Sequence, residues 1–281
     1  MTEPSKSLDE LRREIDALDD SIHDALIARS EISLAVRASK GPGGPTFRAG
    51  READVLRRLV ARHRGRLPHL VIVQLWREIM SASSRLQGPF TVAVAAGAAG
   101  GAALDLARDH FGALTTLQQA SSIAQAMNAL AEERAILAVV PLPEDVPDEP
   151  WWRGFGLGSS RPLNILSRIP ITANLRSGAA LIVGRQPFDA SSADHGFAVV
   201  ETRDEISQAR LRTSLEKAGL RVIGFPAAID DPGAGSLQLV EFLEAVAPTD
   251  PRLAVAAETL GSGSQLRPIG GYAVPLELPR S

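Results

Sequence analysis

Residues 7–45 read SLDELRREIDALDDSIHDALIARSEISLAVRASKGPGGP, and the spacing of the apolar residues in this stretch decides what kind of protein follows. Leu8, Leu11, Ile15, Leu18, Ile22, Leu26, Ile32 and Val36 recur at helical spacing. Ser7 with Glu10 three residues on makes a capping box, and the Gly-Pro run at 41–45 stops the pattern. The reading is one helix of about 33 residues. An apolar stripe that long exceeds what a short domain of its own can cover, so it calls for a partner helix. A second helix follows from Arg51 to His63 on Val55, Leu56 and Leu59, and a third from His69 to Gln87 on Val73, Trp76, Ile79 and Met80. Residues 1–89 are therefore expected to form an all-α domain, able to stand alone as a helical dimer.

After Gly88-Pro89 the period changes. FTVAVAAG at 90–97 reads as a buried strand, GAAGG at 97–101 as a tight turn, and AALDLARDHFG as a helix. SSIAQAMNALAEER is a further helix and AILAVVPL a further strand, which makes a βαβ pattern. Residues 143–168 are rich in Pro, Gly and Ser and read as loop, with Trp151-Trp152 placed to cover an exposed seam; ALIVG at 180–184 is one more strand. Residues 90–190 are thus a short α/β domain. From His195 the order is strand, helix, strand, strand, helix, strand, the βαββαβ order of ferredoxin-like α+β units, giving a third domain over 191–281.

Composition agrees with several soluble cores in a chain of 281 residues, 44% hydrophobic and 22% charged. The net charge of −3 lacks the basic footprint of a nucleic-acid binder, although residues 1–89 carry 15 Lys and Arg against 12 Asp and Glu. The remainder carries 15 against 21. No cysteine is present, so thiolate metal sites, disulfides and cysteine nucleophiles are excluded, and the five histidines show no metal-ligand spacing. No metal and no cofactor is expected. The uncharged stretch Phe90–Leu104 is too short and too rich in Ala and Gly to span about 30 Å of hydrocarbon. With no basic-then-apolar leader at the start, a cytoplasmic location without membrane contact is expected.

The chemistry is signalled by polar residues on apolar stripes. Arg29 lies seven residues after Ile22 and Lys40 four after Val36, both on the face meant for burial, with Arg12 at its edge. Ser83 and Gln87 extend the stripe of the third helix, and Glu52 precedes Val55, Leu56 and Leu59 on the second. In an ordinary bundle long Arg and Lys stems would reach water and form salt bridges. Taken together across three helices, the set instead suits a small dianion: guanidinium forks for carboxylates, neutral donors for an ether oxygen, one carboxylate for a hydroxyl.

These residues resemble the all-helical class of chorismate mutases across residues 7–88, through LDELRREIDALDDSIHDALIARSEISLAVRASK, GREADVLRRLV and LWREIMSASSRLQGP. The resemblance implies an intertwined homodimer with shared active sites, whose substrate is chorismate and whose product is prephenate, on the way to Phe and Tyr. It implies that Arg29, Arg51 and the partner's Arg12 hold the two carboxylates, that Lys40 and Gln87 donate to the ether oxygen, and that Glu52 and Ser83 complete the site. The family's acidic residue three before the Arg-Glu pair is Arg48 here, which adds a carboxylate contact or leaves the hydroxyl to Glu52 alone.

The layout of the rest is similar to bifunctional chorismate mutase/prephenate dehydratases, which end in an ACT regulatory domain. The family's hydroxyl residue after the glycine turn is replaced by Gly101-Ala102-Ala103, its Glu-Asn-Ser run by Pro143-Glu144-Asp145, and its Thr-Arg-Phe motif finds no counterpart. Residues 90–190 are therefore expected to be a shortened, inactive dehydratase-like domain and 191–281 an ACT-like one. The rival readings are a working bifunctional mutase-dehydratase, an isochorismate-pyruvate lyase on the same helical fold, and a non-catalytic binder of chorismate-like dianions.

Overall fold

The computed structural model describes residues 6–41, 44–96, 101–155, 162–173, 178–231 and 235–279, without the side chains of Lys40, Asp230 and Asp231. Three helices lead the chain: α1 (Leu8–Lys40), α2 (Ala49–Arg62) and α3 (His69–Leu86). The capping box forms as its residue types require, with the Ser7 N–H donating to Glu10 Oε2 at 2.8 Å and the Glu10 N–H donating to Ser7 Oγ at 3.3 Å. Along α1 the apolar stripe lies bare: Leu8, Leu18 and Ile32 are 62%, 63% and 66% exposed. Among the described residues the helix meets α3 near its C-terminal half, through Arg29 and Ser33, and Arg37 donates to the Gly44 carbonyl.

The helical pair α2 and α3 does not own its core. Ala53, Leu56, Val73 and Met80 are buried together with Ile171, Ala273 and Leu276 from the far end of the chain. The expectation of a self-sufficient domain over residues 1–89 meets a physical obstacle here, because the inner face of the pair rests on residues beyond 170. The attachment is polar as well. Asp189 takes Arg48 Nε and Nη2 on one carboxylate oxygen at 3.0 and 2.7 Å and the Arg51 N–H on the other at 3.0 Å. Arg57 donates to Ser191 Oγ and to the carbonyls of Ala193 and Val274. A Cβ on Gly50 would stand 2.1 Å from the Asp189 carbonyl oxygen, so the two backbones approach as closely as a glycine allows.

The α/β region begins with β1 (Thr91–Ala95), α4 (Gly101–Phe111), β2 (Thr116–Ala120), α5 (Ile123–Ala131) and β3 (Leu137–Pro141). β1 pairs parallel with both β2 and β3. The alternation of β1 sends Ala93 and Ala95 to the face covered by α5, and Val92 and Val94 to the face covered by α4. β4 (Asn164–Ile169) and β5 (Ala180–Gly184) add antiparallel strands beside β3, and the βαββαβ unit supplies β6 (Asp194–Thr202), α6 (Gln208–Lys217), β7 (Val222–Asp231), β8 (Gly235–Phe242), α7 (Pro251–Leu260) and β9 (Gln265–Ala273). All nine strands form one sheet in the order β2-β1-β3-β5-β4-β9-β6-β8-β7. The seam between its halves is the parallel pairing of β4 with β9 at Ile165 and Gly270. Gly270 has φ +98°, and a Cβ there would lie 2.0 Å from the Ile165 carbonyl oxygen.

Two strands escaped the sequence reading. TLQQA becomes the edge strand β2, whose mostly exposed side chains leave no apolar alternation to detect. β4 sits inside the stretch read as loop, yet Ile165 packs on one face and Leu166 on the other, the mark of a central strand buried on both sides. Trp152 is a core residue in a short 3-10 turn under the sheet rather than a cover for a seam. Of the GAAGG turn, residues 97–100 lie outside the described residues.

Candidate active site

Three helices bring polar groups to one place because their stripes converge at the α1–α3 contact. Arg29 Nη1 donates to Ser83 Oγ at 2.6 Å, and Ser83 Oγ donates in turn to the Ile79 carbonyl at 2.8 Å. One turn further along both helices, Gln87 Nε2 donates to Ser33 Oγ at 3.1 Å, leaving the buried Gln87 Oε1 without a partner among the described residues. Partial burial holds the Arg29 guanidinium below its ordinary pKa, and the charge of Glu52 works against that shift. Arg29 makes no ion pair among the described residues. A half-buried cation facing only a hydroxyl and a more distant carboxylate is ready for an anionic ligand.

Glu52 is buried at 9% exposure and is held by Arg77, whose Nη1 donates to Glu52 Oε2 at 2.5 Å. Arg77 is itself 4% exposed and donates through Nε to the His110 carbonyl at 2.8 Å. The sequence reading missed Arg77, although its signal is the one that marked Arg29: it stands four residues after Val73 and three before Met80, on the buried stripe of α3. Ser33 was missed as well, and it lies four residues after Arg29 on the same face of α1.

The other expected site residues are placed differently. Arg48 and the backbone of Arg51 are both engaged by Asp189, and that hydrogen-bonded pairing raises the Arg48 pKa above its ordinary value. The Arg51 side chain is exposed and forms no ion pair among the described residues. Arg12 is exposed and meets Asp9 at 3.4 Å. Seventeen residues of helix separate it from Arg29, about 26 Å along the axis. The side chain of Lys40, the last residue of α1, lies outside the described residues. The structure thus gathers Arg29, Glu52, Ser83 and Gln87, and sets Arg12 out of their reach within one chain.

Among the described residues no group of His, Asp and Glu could hold a metal ion, and no helix is long and apolar enough to cross a membrane.

The family model of chorismate mutase type II matches residues 11–88, so the helical region is similar to domains of that type. The bifunctional chorismate mutase/prephenate dehydratase of Neisseria gonorrhoeae is 30% identical over 142 residues, 49% of this chain and 39% of the relative. The chain thus aligns with about two fifths of that relative's length, and an alignment longer than the helical region extends into the α/β region. Among solved structures, prephenate dehydratase from Streptococcus mutans overlaps 67% of this chain and 100% of its own at 15% identity and a TM-score of 0.47. GqqA, described as a novel type of quorum quenching acylase, overlaps 66% of this chain and 96% of its own at 17% identity and a TM-score of 0.44. At such scores the likeness fixes neither the fold nor the chemistry of this chain.

Proposed function

We propose that the chain is a chorismate mutase that works as a homodimer, converting chorismate to prephenate, and that the region after residue 89 is a structural or regulatory extension. The observation that carries the reading is Arg29: a half-buried guanidinium without an ion pair among the described residues, bracketed by Ser83, Gln87 and Glu52 on two other helices. The bare stripe of α1 supports the homodimer, since burying residues such as Leu18 and Ile32 against a second copy brings that copy's Arg12 toward a site it cannot reach within its own chain.

The rearrangement breaks a carbon–oxygen ether bond and forms a carbon–carbon bond within one molecule, with no nucleophile and no net proton transfer. The protein's part is to hold the folded conformer and to meet the negative charge that grows on the ether oxygen. In this proposal Arg29, Arg51 and the partner copy's Arg12 grip the carboxylates. Lys40 and Gln87 donate to the ether oxygen, for which Gln87 Nε2 exchanges its bond to Ser33 for one to substrate. Glu52, with Oε2 committed to Arg77, accepts from the substrate hydroxyl on Oε1. Arg48, tied to Asp189, acts by setting the start of α2.

The test is an assay of chorismate loss and prephenate formation, followed by mixing Arg12→Ala with Arg29→Ala protein. Each variant alone is expected to be inactive, and the mixture to regain one intact site per heterodimer. A mixture that stays silent while each variant sediments as a dimer overturns the shared site.

One observation favours the bifunctional reading as a second. Strand β4 presents Ser167-Arg168-Ile169, a hydroxyl-arginine-apolar run comparable to the Thr-Arg-Phe motif for which the sequence alone offered no counterpart, and Arg168 lies 5.7 Å from the ring centroid of Tyr272. Against it, the cavity of about 470 Å³ at the C-terminal ends of β1 and β3 carries Ala102 and Ala103 where the resemblance calls for a hydroxyl residue, and its polar lining is Ser121, Ser122, Asp145 and Glu149 instead. Phenylpyruvate formed from prephenate above the spontaneous rate, and abolished by Arg168→Ala, would establish the second reading.

A further inference from the structure

A cavity of about 280 Å³ opens between α3, α4 and the chain just after β4, at the junction of the helical and α/β regions and away from the α1–α3 contact. Leu70, Val73, Leu106 and Ile171 give it apolar walls. Its polar lining consists mainly of hydrogen-bond donors or groups able to donate: Arg77, His110, Gln74 and Thr172, with Asp109 exposed at the rim. Arg77 spends Nε on the His110 carbonyl and Nη1 on Glu52, while Nη2 makes no hydrogen bond among the described residues. His110 is 4% exposed, and its Nε2 is buried with no hydrogen-bond partner among the described residues. Buried polar atoms without partners are rare in folded proteins, and His110 Nε2 is one of them; Arg77, equally buried, lines the same cavity.

We propose that this cavity is a second binding site, for a small carboxylate with an apolar body, and that Arg77 divides its guanidinium between that ligand and Glu52. The ligand's carboxylate meets the free N–H groups of Arg77 with the hydroxyl of Thr172 or the imidazole of His110, and its body fills the space between Leu70, Val73, Leu106 and Ile171. Burial keeps His110 well below its ordinary pKa, so it enters as a neutral donor or acceptor and adds no charge. A second carboxylate on Arg77 competes with Glu52 for the same cation, so occupancy is felt at Glu52. That coupling rests on the mutase reading; the binding itself does not.

The test uses the full chain and two probes, para-fluorobenzoate and its neutral counterpart para-fluorobenzyl alcohol, followed by fluorine NMR. Saturable broadening with the benzoate is expected, with the alcohol at least about tenfold weaker for want of the charged hydrogen bond. Gln74 is exposed on α3, and Gln74→Trp plugs the mouth without touching the Arg77–Glu52 pair. The variant is expected to keep its melting temperature and lose the binding. An absence of saturable binding, equal binding by Gln74→Trp, or equal affinity for the alcohol each overturns the site. In the same protein, saturating benzoate is expected to change the KM for chorismate through Glu52 in wild type and not in Gln74→Trp. Binding without any such change removes the coupling and leaves the site. A chain without mutase activity defeats the functional reading while the NMR result still decides the cavity.

Discussion

Asp189 accepts the backbone N–H of Arg51 at 3.0 Å, so helix α2 starts on a carboxylate supplied by a residue 138 positions further along the chain. Its own N-cap residue is Arg48, which has no side-chain acceptor to offer and pairs with the same carboxylate instead. Asp189→Ala removes the bond to the Arg51 N–H and the two from Arg48. The expected loss is about 1–3 kcal/mol, for a helix cap and a charged hydrogen bond weakened by the exposure of Arg48. Because the first turn of α2 carries Arg51 and Glu52, turnover should fall further than stability predicts, with Asp189→Asn between the two. Denaturant midpoints beside initial rates on chorismate check this, and parallel losses in both would assign Asp189 to stability alone.

Lys40→Ala should lower turnover by about 100-fold, the scale of removing a donor placed at a developing oxyanion. KM should change less than kcat, because the charge it meets exists mainly in the transition state. Steady-state rates decide it; a variant that turns over at the wild-type rate means that the ether oxygen has another donor.

Leu276→Ala tests where the helical pair is held. Leu276 is 5% exposed beneath α2 and α3, and the expected loss is about 2–4 kcal/mol. By the same argument a fragment of residues 1–89 should bind hydrophobic dyes and melt without cooperativity, since Leu56, Val73 and Met80 lose their cover. A fragment with a sharp thermal transition would show that dimerisation alone completes this core.

His110 sets a pH dependence. Burial depresses its pKa, so the folded chain binds fewer protons than the unfolded one once pH drops below the unfolded value of about 6.5. Stability is therefore fully present above that pH and declines as acid is added, by up to about 1.4 kcal/mol per pH unit for one such group. His195, also lowered chiefly by burial, contributes in the same direction. His110→Phe, placed among Phe47 and Phe111, should flatten the decline between pH 6.5 and 5 without removing it. Unfolding curves across that range give the slope, and an unchanged slope would refute a neutral buried imidazole.

What could be read in the sequence, and what could not, follows from distance along the chain. The ends of α1 and the βαββαβ order were legible because local periodicity carries them, and the same periodicity puts Arg29, Glu52, Ser83 and Gln87 on the apolar stripes of their own helices. Arg77 was equally legible, yet it was passed over because Trp76 and Ile79 made a competing stripe on α3, and both turn out only half buried. Asp189 was not legible, since nothing in QPFDASS marks an aspartate as the cap of a helix that ended well over a hundred residues earlier. The same holds for Leu276 under α2 and for β2, whose exposed residues leave no pattern behind.

Gly270 ties β9 to β4 where the two halves of the sheet meet, ahead of a further bridge between Thr172 and Leu276. A methyl group there has no room beside the Ile165 carbonyl, so Gly270→Ala would part the strands and leave each half with a bare edge. Such edges pair readily with the edges of other molecules. The harm from that small substitution would then appear as insolubility, with chains adding to one another through the opened seam even while each half kept its own strands in register.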